Sequence, residues 1–158
     1  MPGSTIHIEG LDQVKAELAR FDVKVQEQAM RAALNAGGAV FQAEVQSRAP
    51  ERPDLPSGTA LPPGALAADI VRRTQKLSSG VMAVIVGPGR LTRHVARWVE
   101  YGHRLVRGGR NRKGRGGPGR VVGSVPSHPF IRPAFEAAEG AAVEAFAEGL
   151  KAELRKRG

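Results

Sequence analysis

The chain has 158 residues, 24 Lys and Arg against 15 Asp and Glu, a formal net charge of +9, and no cysteine. That length fits one domain spanning 1–158 with a modest core, and the missing cysteines exclude a disulfide framework or a thiolate metal site. Only five Phe, one Trp and one Tyr are present, so alanine supplies much of the apolar content and the core is expected to be thin and close-packed. Self-association is the usual way for such a domain to add stability.

Thr5 to Glu9 alternates as a short strand would, and Gly10 breaks it. From Leu11 the apolar spacing is helical, through Leu11, Val14, Leu18 and Phe21, then Val25, Ala29, Ala32, Ala36, Val40 and Ala43. Asp22 fits an N-cap, so the stretch reads as two helices or one kinked helix. Ala49-Pro50 forces an end near Arg48. Within it, Ala33 to Gly38 carries little side-chain volume, which favours close contact with another helix or a sheet. Residues 50 to 65 read as a Pro-rich surface loop. Ala68 to Thr74 and Gly80 to Gly87 read as strands around a Leu77-Ser78-Ser79-Gly80 hairpin turn. VMAVIV is apolar on both faces, which predicts a central strand covered by a helix. His94 to Tyr101 fits a helical face through Val95, Trp98 and Val99 better than it fits a strand. After Ser127-His128-Pro129 a last helix carries Phe135, Ala138, Ala142, Phe146, Leu150 and Leu154 on one stripe. The reading is an α+β fold, with a small antiparallel sheet packed by a long N-terminal helix or helix pair and a C-terminal helix.

The positive charge is local. Arg104, Arg107, Arg110, Arg112, Lys113, Arg115, Arg120 and Arg132 lie between His103 and Arg132 with no acid among them, leaving 16 basic and 15 acidic residues elsewhere. The first seven fall in the glycine-rich RLVRGGRNRKGRGGPGR, read as a flexible insertion at about 104–126. Two readings stay open for it. Its guanidinium groups could neutralise phosphates or an acidic protein surface, or the segment is a solvated loop. No aromatic lies between Tyr101 and Phe130, which argues against base stacking, and no helix pattern there suggests groove insertion.

Catalysis finds little support. His7, His94, His103 and His128 have no metal-ligand spacing, no paired carboxylates accompany them, and there is no Gly-x-Ser-x-Gly elbow. No catalytic residue, metal or cofactor is expected, and a toxin-like or nuclease enzyme falls on the same ground. The N-terminus MPGSTIHIEG lacks a basic segment followed by an apolar one, and the apolar run Val81 to Val86 is too short to span a bilayer. A soluble protein made in the cytoplasm, with no membrane partner, is the expectation.

Two further segments, RHVARWVEYGH (93–103) and HPFIRPAFE (128–136), resemble the paired signature of the gene-ten-product-like neck and tail-completion family. That family comprises tail components of long-tailed double-stranded-DNA bacteriophages. It has A-x-x-V-E-[FY]-G-T followed by R-P-F-[LI]-R-P-A. The N-terminal IEGLDQVKAELARF is similar to the family's start, SRAPERPDLPSGTALPPGALAADI to its A-R-A-P-V-D-T-G-x-L-R-x-S-I passage, and VMAVIVGP to its next strand. The resemblance spans nearly the whole chain. His103 stands in place of Thr, and the link between the signatures is lengthened by the basic segment. The resemblance implies a non-enzymatic structural protein of the virion's head–tail junction, assembled in the host cytoplasm as a homo-oligomeric, hexameric ring around the DNA channel. Its neighbours would be head-closure or connector proteins and tail-terminator or tail-tube proteins, with non-specific contact to double-stranded DNA. The alternative is a nucleic-acid-binding protein using the Arg/Gly-rich loop. The structural motif residues are Trp98, Glu100, Tyr101, Gly102, Pro129, Phe130, Arg132 and Pro133. Pro129 would set the start of the last helix and Pro133 would sit in its first turn. Phe130 and Phe135 would anchor that turn in the core beside Trp98, and Arg132 would pair with Glu100.

Overall fold

The computed structural model describes residues 18–51, 61–109 and 119–156, together with Gln13, Ala16 and Gly117. The strand expected at Thr5 to Glu9 lies outside these residues, as does most of the Pro-rich loop. The elements are helix α1 (Val23–Arg48), a single helical turn α2 (Ala65–Ala68), strands β1 (Ile70–Lys76) and β2 (Met82–Pro88), and helix α3 (Arg93–Tyr101). Strands β3 (His103–Arg107) and β4 (Arg120–Val125) and helix α4 (Ile131–Arg155) complete the chain. This is an α+β fold, but its strands form two separate two-stranded sheets, β1–β2 and β3–β4. VMAVIV is therefore one strand of a hairpin and not a central strand, and Val81 and Ile85 are exposed.

The residues divide into two compact units, Met1–Gln42 with Arg72–Val86 and Ala138–Gly158, and Ala43–Val71 with Gly87–Ala137. In the first unit, Gln13, Ala16 and Leu18 are helical and a turn separates them from α1. The stretch is thus two helices, and the Asp22 carbonyl accepts the N–H of Gln26 at 2.9 Å as the second begins. Small residues let α1 and the later part of α4 approach closely. A Cβ on Gly37 would lie 2.7 Å from the Ala142 carbonyl oxygen, and one on Gly149 would lie 3.0 Å from the Ala36 Cβ. The next residue, Gly38, faces the hairpin instead, where a Cβ would meet Val84 Cγ2 at 2.6 Å. The Gly37-Gly38 pair therefore serves a helix contact and a hairpin contact in succession. Ala29, Ala33, Leu150 and Leu154 form the buried cluster, with Leu18, Phe21 and Phe146 packed on it.

The hairpin of this unit is closed by Leu77 N–H donating to the Val81 carbonyl at 2.8 Å and Gly80 N–H to the Leu77 carbonyl at 2.9 Å. Gly80 has φ +84°, the left-handed residue that a three-residue hairpin loop places last. Thr74 Oγ1 donates to Asn35 Oδ1 at 2.8 Å, and Lys76 pairs with Glu27, so β1 is tied to α1 by polar side chains.

In the second unit, Val45, Leu66, Ile70, Val95, Ala96, Val99, Phe130 and Ala134 are buried. The strand expected from Ala68 begins two residues later. The N–H groups of Ala68 and Asp69 donate to the carbonyls of Gly64 and Ala65 at 3.0 and 3.1 Å, closing a helical turn first.

Candidate functional site

The two signature segments meet in the second unit. Helix α3 buries Val95, Ala96, Val99 and Glu100, a stripe spaced i, i+1, i+4, i+5 on one face of a 3.6-residue repeat. Its start is fixed from a distance. Thr92, the residue before the helix, is fully buried and donates both its N–H (2.7 Å) and its hydroxyl (2.9 Å) to Asp69 Oδ2. Gly89 N–H donates to the Asp69 carbonyl at 2.6 Å, and a Cβ on Gly89 would collide with the Asp69 carboxylate.

Glu100 performs the comparable task for α4. It is 7% exposed, and its carboxylate accepts the main-chain N–H groups of Phe130 (2.8 Å), Ile131 (3.0 Å) and Arg132 (3.1 Å). The first N–H to find a helical carbonyl is that of Ala134, which donates to Phe130 at 3.3 Å. A helix start leaves four N–H groups without such partners and favours negative charge there. Pro133 has no N–H, so the carboxylate accounts for every donor present. The expected Arg132–Glu100 ion pair is corrected: the segments do lie side by side, but Glu100 holds the Arg132 main chain, and the Arg132 side chain is exposed. Three main-chain donors prevail over one guanidinium because burying their N–H groups unpaired would cost more than leaving a surface arginine in water.

Gly102 ends α3 with φ +72° and ψ 169°, a region that essentially only glycine occupies. A Cβ there would also lie 2.7 Å from the Val125 carbonyl oxygen and 3.0 Å from the Ser127 nitrogen. His128 N–H donates to the Val99 carbonyl at 2.7 Å, a second main-chain tie between the segments. Pro129 is exposed and Pro133 occupies the third position of α4. Phe130 is 2% exposed, whereas Phe135, expected in the core beside it, is 53% exposed. Trp98 packs against two imidazoles, with His94 edge-on and His103 tilted, each at a centroid distance of 5.4 Å. Both ring nitrogens of His103 are buried without a hydrogen-bond partner among the described residues.

Beside this junction lies an open groove of 530 Å³ lined by Arg93, Arg97, Glu100, Tyr101, Arg132 and Phe135, among others. Tyr101 is 70% exposed. Within the described chain, none of the three arginines makes an ion pair.

The basic segment is not a free loop at its base. Residues 103–107 and 120–125 pair as an antiparallel ribbon, with His103 opposite Val125, Arg104 opposite Ser124 and Leu105 opposite Gly123. The register then shifts, leaving Val122 as an extra residue, and Val106 faces Val121 and Arg107 faces Arg120. The aliphatic runs Leu105-Val106 and Val121-Val122 provide the strand-forming residues that the surrounding glycine and charge concealed. Arg104, Arg107 and Arg120 are exposed on the ribbon. Arg110, Arg112, Lys113 and Arg115 lie outside the described residues.

Asp69 and Thr92 were not singled out from the sequence, although a Thr one residue before a helix is an N-cap signal. Nothing local marks Asp69, whose partner is 23 residues away. Among the described residues no cluster of three or more metal-ligating side chains occurs, and no helix is long and apolar enough to cross a membrane.

Comparison with known proteins agrees with the family resemblance over the part of the chain that holds the first signature segment. Residues 12–102, more than half of the chain, match the model of the family described as "Bacteriophage HK97-gp10, putative tail-component". No curated protein and no solved structure matches. The matched region ends at Gly102, so it contains α3 and Glu100, the acceptor for the helix that follows. The chain belongs to the HK97 gp10-like family of bacteriophage tail components.

Proposed function

We propose that this tail component is a structural protein of the head–tail junction, assembling as a hexameric ring around the DNA channel and joining the head connector to the tail. It acts without catalysis and resides in the virion after assembly in the host cytoplasm. The observation that carries the reading is the surface of the second unit, where Leu91, Tyr101, Val106, Val122 and Phe135 are all exposed. Tyr101 and Phe135 share one open groove, and large apolar side chains exposed on a basic unit support a protein-binding surface. The Glu100 junction, with three main-chain hydrogen bonds on one carboxylate, suits a part whose function is to hold a fixed shape. Head-closure or connector proteins on one side and tail-terminator or tail-tube proteins on the other are its neighbours. The test is the mass of the purified protein in solution, with electron microscopy of the same sample. Closed rings support the reading, and a monomer at all concentrations refutes it.

A second reading is favoured by one observation. Arg107 and Arg120 stand directly opposite across the ribbon, and like charges so placed repel unless an anion lies between them. In this reading the ribbon holds duplex DNA by its phosphates, without reading sequence. Tight DNA binding by a monomer, with a steep salt dependence, would favour it over the ring.

A further inference from the structure

We propose that the groove between α3 and the first turn of α4 receives a second copy of this chain, seated by the exposed Glu144 and Glu148 of that copy's α4. The inference rests on the ring reading and names the two faces that would build the ring. The groove offers Arg93 and Arg97 one helical turn apart on α3, with Arg132 across from them. Of its two acids, Glu100 is committed to three main-chain N–H groups, leaving Glu136 against three guanidiniums. Glu144 and Glu148 are exposed, are also one helical turn apart, and make no ion pair within the described chain. Side chains spaced i, i+4 on two helices present their charges at the same interval, about 5–6 Å, so the arginine pair can register with the glutamate pair.

Charge sets the partner, and apolar contact must supply much of the holding, because exposed ion pairs contribute little singly. Tyr101, in the groove lining, is 70% exposed. On the opposing helix Gly140 and Ala141 are exposed just before the glutamates, and a Cβ on Gly140 would meet nothing within 4 Å. The Tyr101 ring can lie flat on such a low surface, with the carboxylates reaching past it to the guanidiniums. The two faces share no residue, so the contact is head-to-tail. A head-to-tail contact either closes into a ring or continues as a filament.

That geometry gives a specific test in the full-length chain. R93E/R97E makes both faces acidic, and E144R/E148R makes both basic. Each variant alone should remain monomeric where the wild type forms rings, with at least about a tenfold rise in the concentration needed to assemble. An equimolar mixture should restore rings in which the two variants alternate, read by native mass spectrometry. Circular dichroism and thermal melting establish that each variant is folded. Gly140→Trp is the second probe, since its side chain points into open space in the monomer and should block assembly without unfolding it. Rings formed normally by the charge-reversed variants or by Gly140→Trp would overturn this contact and leave the ring reading standing. A monomeric wild type would overturn both.

Discussion

Glu100 and Pro133 together account for all four main-chain positions at the start of α4 that no helical carbonyl can reach. Glu100 accepts the N–H groups of Phe130, Ile131 and Arg132, and Pro133 has none to offer. The signature's Glu and its second Pro are therefore two halves of one solution to a helix N-terminus.

The division predicts a graded response. Glu100→Ala leaves the buried Phe130 N–H and the partly buried Ile131 and Arg132 N–H groups without their acceptor, so a loss of at least about 1–3 kcal/mol, the cost of one buried donor, is expected in chemical denaturation. Glu100→Gln keeps one carbonyl acceptor and should fall between that variant and wild type. Arg132→Ala should change stability by less than about 0.5 kcal/mol, because its main-chain N–H is untouched. The double change should be additive within about 0.5 kcal/mol. A coupling above about 1 kcal/mol would restore the side-chain ion pair that the structure replaces.

Gly102 predicts a second, sharper loss. Gly102→Ala places a side chain at φ +72° and ψ 169° and brings Cβ to 2.7 Å from the Val125 carbonyl. Strain of about 1–3 kcal/mol and the collision add, so the melting temperature should fall by many degrees. Gly108→Ala is the control, with φ +74° but nothing within 4 Å of a Cβ. Its cost should stay near 1–2 kcal/mol, roughly that of a left-handed residue alone. Equal losses at the two sites would mean that the contact with Val125 is unimportant.

These residues show what could be read from the sequence and what could not. The apolar stripe of α4 was legible from Ala138 to Leu154 because buried side chains repeat with the helix. Phe135 shares that phase, yet it stands beside the open groove near the start of the helix and remains exposed. The proximity of Glu100 and Arg132 was legible from the signature, but periodicity records side chains and is silent about main-chain donors. The Asp69–Thr92 contact joins residues with no shared local pattern. At β3 and β4 the strand signal is two short aliphatic runs, outweighed by glycine and arginine on either side.

The two kinds of helix glycine should respond in opposite directions. Gly37→Ala would put Cβ 2.7 Å from the Ala142 carbonyl oxygen and 3.3 Å from Phe146 Cβ. The helices must then separate, and overpacking of this kind costs about 1–3 kcal/mol. Gly140→Ala meets open space on the exposed face of α4 and should stabilise by roughly 0.5–1 kcal/mol through helix propensity and a less free unfolded chain. Thermal melts of the two single variants decide the matter, and stabilisation by both would refute the close packing of α1 on α4.

Glu27 predicts a modest acid sensitivity. The hydrogen bond and then the charge of Lys76 hold its carboxyl below the ordinary 4.5. A carboxyl lowered in the folded state adds stability above its unfolded value, and that contribution disappears as pH falls through the folded value. Stability measured between pH 6 and about pH 3 should therefore decline less in Glu27→Gln than in wild type. The difference should shrink in about 1 M salt, because the pair is exposed and screened. A pH profile unchanged by the substitution would show that the pair contributes nothing in solution.

The basic ribbon carries the last prediction. Because β3 and β4 are paired, removing residues 105 to 120 would cut into the strands, whereas trimming 110 to 118 spares them. The trimmed protein should melt with wild type, its fold resting on Glu100, Gly102 and the buried residues around them. Within the ribbon, Arg107→Glu converts a repulsive cross-strand pair with Arg120 into an attractive one, which should stabilise by about 0.2–1 kcal/mol. If the ribbon meets phosphate, the same change should weaken binding to duplex DNA and flatten the slope of log affinity against log salt, by about 0.9 for each phosphate no longer neutralised. Higher stability with weaker DNA binding would mean that the Arg107–Arg120 repulsion is retained for an anion. Higher stability with unchanged binding would assign DNA binding, if any, to other residues. Lower stability would refute the register that places these two arginines opposite one another.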